Sequence, residues 1–137
     1  MRIVIDASVA LKWVVSEADS DAADAILDQD LMAPVLWLAE AANVLWRKAR
    51  TREITAEEAN ARLSELRKAP VASLSMEPYL ERALELAVEI GHPVYDCIYL
   101  ALAESLSSQV VTADRRLYNA LQGGPYAGLI LWVEDGP

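Results

Sequence analysis

Asp6 in MRIVIDAS, Glu40 in VLWLAEAANVLW, Asp96 in HPVYDCIYLALAE and Asp114 in QVVTADRRL are the side chains of this chain best placed for chemistry. All four are acids set among apolar or small residues, and a carboxylate in such company is costly to bury unless something pairs with it. Each stands near the end or on one face of an apolar element, which points to one shared partner, most simply a divalent cation. Oxygen-only ligands select Mg²⁺, with Mn²⁺ able to substitute, over zinc. Taken singly, three of the four have a structural reading: Glu40 as a helix-surface residue, Asp96 and Asp114 as helix caps. Asp6 has the least structural reason to be where it is, because it ends an apolar strand.

The elements that must position these acids alternate. Residues 2–5 read as a buried parallel strand, with Ser8 capping the helix SVALKWVV that follows. A helix is expected from about Asp19 to Gln29 and a short strand over 31–33, closed by Pro34. Pro34 also suits the start of a long helix reaching about Arg50. Thr55 opens a capping box with Glu58 for a helix to about Lys68. Val71–Ser75 reads as a strand, and Glu77-Pro78 opens a helix that Gly91 stops. A helix follows over about 94–106, then a strand at 110–111, a helix over 115–121 and a last strand over 129–133. Strands alternating with helices, without a hairpin signal, give an α/β chain: a mostly parallel central sheet covered on both faces. Sites in such sheets form at the carboxyl ends of strands, and Asp6 and Asp114 both follow such ends.

The bulk numbers bound the partners. A chain of 137 residues that is 54% hydrophobic reads as one domain with one sizeable core. No apolar run approaches the ~20 residues of a membrane span, and no signal peptide precedes the first strand. Cys97 is the one cysteine, so a reducing cytoplasm is the expected location. A net charge of −9 argues against tight, nonspecific nucleic-acid binding. Six of the acids crowd residues 17–30, most simply a solvated face. Bases cluster at Arg47, Lys48, Arg50 and Arg52, and again at Arg115 and Arg116, which follow Asp114 and could touch substrate phosphates. Trp13, Trp37 and Trp46 read as core or dimer-interface residues, and Tyr95 and Tyr99 as packing.

In motif order, spacing and length, IVIDAS, the helical Glu of LAEAANVL, VYDCIYLALAE and VVTADRRL together resemble the PIN-domain family, and within it the VapC-type ribonuclease toxins of toxin–antitoxin operons. The resemblance covers essentially the whole chain and implies a single PIN-like domain over residues 1–137, with a three-layer α/β/α fold. It implies that Asp6, Glu40, Asp96 and Asp114 bind Mg²⁺, that Ser8 and Thr112 orient carboxylates or a metal-bound water, and that Asn43 supports the site. It further implies an RNA substrate cleaved to a 5′-phosphate and a 3′-hydroxyl, a small antitoxin partner and a homodimer. Cys97 stands where alanine is common. Metal-free RNA cleavage commonly needs both a base and an acid; His92, the single histidine, lies in Gly91-His92-Pro93 and reads as a turn residue. Two alternatives are a non-catalytic binding module, and a metal-dependent phosphatase or DNA nuclease. An aspartyl phosphatase usually carries a second Asp two positions after the first, where this chain has Ser8.

Overall fold

Ile3, Val4 and Ile5, at most 2% exposed, form the middle of a sheet from which the rest of the architecture follows. The computed structural model describes residues 2–136. Strand β1 (Arg2–Ile5) pairs in parallel with β2 (Asp30–Pro34) on one side and β4 (Val110–Thr112) on the other. The outer strands β3 (Val71–Leu74) and β5 (Ile130–Trp132) complete the order β3-β2-β1-β4-β5, all parallel. β-branched residues dominate β1 because both of its faces are covered.

The helices are α1 (Ala7–Leu11), α2 (Ser20–Ala25), α3 (Leu36–Arg50), α4 (Ala56–Arg67), α5 (Leu80–Ile90), α6 (Val94–Ser105) and α7 (Arg115–Leu121). In α6 every residue from Cys97 to Ala103 is buried. A helix apolar all round belongs in the interior, and α6 packs against β1, β2, β4 and α5. The chain builds outward from β1 through β2 to β3, then crosses back to β4 on the opposite side. Strand order therefore reverses between β1 and β4, and a crevice opens outside their carboxyl ends.

Most expected elements occur close to their expected bounds, and the departures have local causes. Helix α1 begins at Ala7 and is capped by Asp6, not Ser8: the Asp6 carboxylate accepts the Val9 backbone N–H at 3.3 Å, with Asp6 itself still extended. The regular helix stops at Leu11 and α2 at Ala25, both shorter than the apolar pattern suggests. Glu77–Tyr79 forms a single 3₁₀ turn before α5 rather than its first turn. The Thr55–Glu58 capping box is present, with both of its hydrogen bonds at 3.0 Å. Gly91, at φ 74°, ends α5 in the left-handed conformation that glycine adopts without strain.

Candidate active site

A cleft of about 690 Å³ lies at the carboxyl ends of β1 and β4, and Asp6, Glu40, Asp96 and Asp114 all line it. Ser8, Asn43 and Arg116 line it too, and Lys12, Arg47 and Lys48 add positive charge to its walls. Thr112 lies beneath the surface, fully buried.

Asp6 is 7% exposed and is held by a two-armed relay. One arm runs from the Ala113 N–H to Ser8 Oγ at 2.9 Å, and the Ser8 hydroxyl donates to Asp6 Oδ1. The other runs from the Asp114 N–H to Thr112 Oγ1 at 3.0 Å, and Thr112 donates to Asp6 Oδ2 at 2.5 Å. A backbone N–H can only donate, so each hydroxyl must accept there and send its own proton to the carboxylate. Ser8, freed from capping duty by Asp6, becomes one of these arms. Burial still pushes the Asp6 carboxyl up to about 6, with the Asp114 charge adding to the rise and the hydroxyls pulling against it.

The other acids are borne by helices. Glu40 sits mid-way along α3 and accepts the Tyr99 hydroxyl on Oε1 at 2.5 Å. Partial burial raises its carboxyl above the ordinary range, and the charge of Asp96 raises it further. Tyr99 is 1% exposed. Burial, then the charges of Glu40, Asp6 and Asp96, push its phenol well above the usual range, so it remains a donor. Asp96 lies in the first turn of α6, and its Oδ2 is 2.7 Å from His92 Nε2. Asp114 caps α7: its Oδ1 accepts the N–H groups of Arg116 at 3.0 Å and Leu117 at 3.4 Å. For Asp114 the capping and site readings are therefore both true.

Two expectations are corrected by packing and a third is extended. Arg115 does not line the cleft; its guanidinium lies 3.8 Å over the Trp132 ring, a cation–π contact that turns it aside. Tyr95 is not packed inside but stands 64% exposed at the cleft wall. His92 does more than make a turn, since its ring meets Asp96. Of the tryptophans, Trp37 is core, bonded to Ser73 at 2.9 Å, whereas Trp46 is 54% exposed beneath Arg50. Within the acidic stretch, Glu17 and Asp19 each meet Lys12 Nζ at 2.7 Å. The Asp residues at 21, 24, 28 and 30 are exposed, as a solvated face should be. Cys97 is fully buried and its thiol is pushed up to about 11, chiefly by that burial, so it stays an unreactive filler. Tyr99 and His92 are the two site contacts that the sequence alone does not flag, because both depend on how α6 is rotated.

The donor set suits a hard cation in kind: four carboxylates, all oxygen, with the carboxyls of Asp6 and Glu40 raised in part by neighbouring acids. Among the described residues no three His, Cys, Asp or Glu side chains yet form a close cage. Each acid is engaged by a protein donor: hydroxyls for Asp6, Tyr99 for Glu40, His92 for Asp96 and the α7 backbone for Asp114.

Residues 3–121 match the sequence profile of the PIN domain. The chain belongs to the PIN-domain family. This PIN domain is 36% identical over 122 residues to ribonuclease VapC3 of Pyrobaculum aerophilum, covering 85% of this chain and 92% of that protein. It superposes on the crystal structure of PAE2754, also from Pyrobaculum aerophilum, with a TM-score of 0.73 and 28% identity over 98% of this chain and 85% of the other. A toxin–antitoxin complex from Klebsiella pneumoniae shares the fold, with a TM-score of 0.66 at 13% identity over 94% of this chain and 95% of that one. The three-layer α/β/α architecture around a parallel sheet is thus that of PIN domains.

Proposed function

We propose that this single-domain chain is a Mg²⁺-dependent endoribonuclease, able to use Mn²⁺, that acts in the cytoplasm as the toxin of a toxin–antitoxin pair. The observation that carries the reading is the convergence of Asp6, Glu40, Asp96 and Asp114 on one cleft where strand order reverses. The ribonuclease name and 36% identity of the Pyrobaculum relative support RNA as substrate.

In this reading the four acids hold the metal. When bound, the metal supplies charge stabilisation for the phosphoryl oxygens and an activated water. Ser8 and Thr112 keep Asp6 oriented through their two hydrogen bonds. Asn43 lines the same cleft and offers an amide to the substrate or to a water. Arg116, Arg47 and Lys48 stand ready to meet phosphates on either side of the scissile bond, which lets a chain of net charge −9 take up RNA locally. Cleavage leaves a 5′-phosphate and a 3′-hydroxyl. The partner set is RNA, a small antitoxin and a second copy of the chain. An exposed apolar row on α5, Leu80, Leu84 and Val88 at 42%, 56% and 78% exposure, supports the homodimer. Among the described residues no single helix is long and apolar enough to cross a membrane.

Incubating the purified protein with RNA and with DNA, in Mg²⁺, in Mn²⁺ and in EDTA, tests the reading. RNA cleavage in either metal and none in EDTA is expected. Equal cleavage in EDTA would overturn the metal site, and cleavage of DNA alone would overturn the substrate.

A further inference from the structure

The turn joining α5 to α6 is built so tightly that the one histidine of the chain has a fixed station. Gly91 and His92 both direct their backbone N–H groups to the Ala87 carbonyl, at 2.8 and 3.2 Å. On the far side the Cys97 N–H meets the Pro93 carbonyl at 3.3 Å, and the Cys97 thiol leans toward the His92 carbonyl. Between these anchors the His92 side chain is only 7% exposed, and its Nε2 lies 2.7 Å from Asp96 Oδ2. An ionised carboxylate can only accept, so Nε2 carries the proton in this contact.

The contact engages one oxygen of Asp96. Among the described residues Oδ1 carries no hydrogen bond. Asp96 also stands near enough to Glu40 for its charge to raise that carboxyl, so in the absence of a cation the two acids push each other apart. A single donor on Oδ2 resists that push and keeps the carboxylate from swinging away. The arrangement repeats at the neighbouring acid, where the Tyr99 hydroxyl holds one oxygen of Glu40. Hydrogen bonds of this outer kind commonly decide how well a ligand set captures its ion.

We infer that His92 is a positioning residue for the metal site, its Nε2–H holding Asp96 so that the second carboxylate oxygen is presented to the cation. The inference rests on the metal-dependent reading above.

Mn²⁺ binding, followed by loss of the free-ion electron paramagnetic resonance signal, tests it without any need for turnover. His92→Leu should weaken Mn²⁺ binding by roughly 10–100-fold. His92→Gln, whose side-chain amide reaches about as far as the ring Nε2, should restore binding to within a few-fold of the parent. His92→Asn, too short to reach, should behave like His92→Leu and covers the case in which leucine disturbs the turn. Wild-type Mn²⁺ affinity in both His92→Leu and His92→Asn, with binding lost in Asp96→Asn, would overturn the role of His92 while leaving the metal site standing. An equal loss in His92→Gln and His92→Leu, with matching falls in Tm, would also overturn it, by placing the role in the turn. Unchanged Mn²⁺ affinity in Asp96→Asn would remove the metal reading and this inference together.

Discussion

The two walls of the cleft hold their acids in different ways. On the strand wall, Asp6 is sunk between β1 and β4 and takes hydrogen bonds from two hydroxyls and a backbone N–H. On the helix wall, Glu40 and Asp96 each accept from one ring-bearing side chain, Tyr99 or His92. The strand wall is over-determined: losing one donor leaves the carboxylate where it was. On the helix wall, among the described residues, the direction of each acid rests on one side-chain contact. The difference teaches that a ligand set can combine a fixed anchor with adjustable arms, the anchor being desolvated at a cost to the metal-free fold.

That contrast can be broken first at its strongest point. Asp6→Asn and Asp96→Asn should each lower RNA cleavage by roughly 10³-fold, since several kcal/mol of charge stabilisation goes with the metal; initial rates under saturating Mg²⁺ measure this. A variant of either kind that cleaves at the wild-type rate would remove that residue from the site.

The anchor's cost should appear as a pH dependence. Asp6 has a carboxyl at about 6 in the fold against an ordinary 3.8, so the folded chain holds its proton more tightly than the unfolded one. Its favourable contribution is fully present below about pH 4 and is lost as pH rises through 6. Relative to Asp6→Asn, the parent protein in EDTA should therefore lose up to about 3 kcal/mol of stability between pH 4 and pH 8, seen in urea titrations of both. A constant difference across that range would show that the strand wall is not strained by its charge.

Removing one donor from each wall sharpens the comparison further. Thr112→Val strips a donor from Asp6 and an acceptor from the Asp114 N–H in a fully buried place, and should cost about 1–3 kcal/mol of stability. Tyr99→Phe should cost about 1 kcal/mol but weaken Mn²⁺ binding more than Thr112→Val does, because among the described residues the Glu40 arm has no second side-chain holder. The reverse ranking in metal titrations would invert the roles of the two walls. The smallest effect belongs to the rim. Arg116→Ala should raise KM a few-fold, more at low salt, whereas Arg115→Ala should leave KM unchanged and lower Tm by a few degrees through the lost contact with Trp132.

Which parts were legible in the sequence follows from how local their causes are. Asp6 stood out because a carboxylate at the end of Ile3-Val4-Ile5 is costly to bury without a partner, and the sheet followed from the same apolar runs. The Thr55–Glu58 box and the Gly91 stop are written in neighbouring residues and occur as expected. Arg115 and Arg116 are indistinguishable by type, and they point about 100° apart around a helix. Which of them meets the cleft is decided by Trp132, a residue on β5. His92 was hidden for a related reason. A glycine-proline turn explains a histidine well enough until the rotation of α6 sets Asp96 against its ring.

The pairing of β1 with β4 also governs when the site can form. Asp6 leaves the ribosome well before its Thr112 partner, which lies 106 positions further along the chain, and Asp114 is later still. No growing chain shorter than that can assemble the strand wall. With synthesis running N-terminus first at ~5–20 residues per second, roughly 5–20 seconds separate the emergence of Asp6 from that of Thr112, and for that interval the anchor of the site is without its second strand.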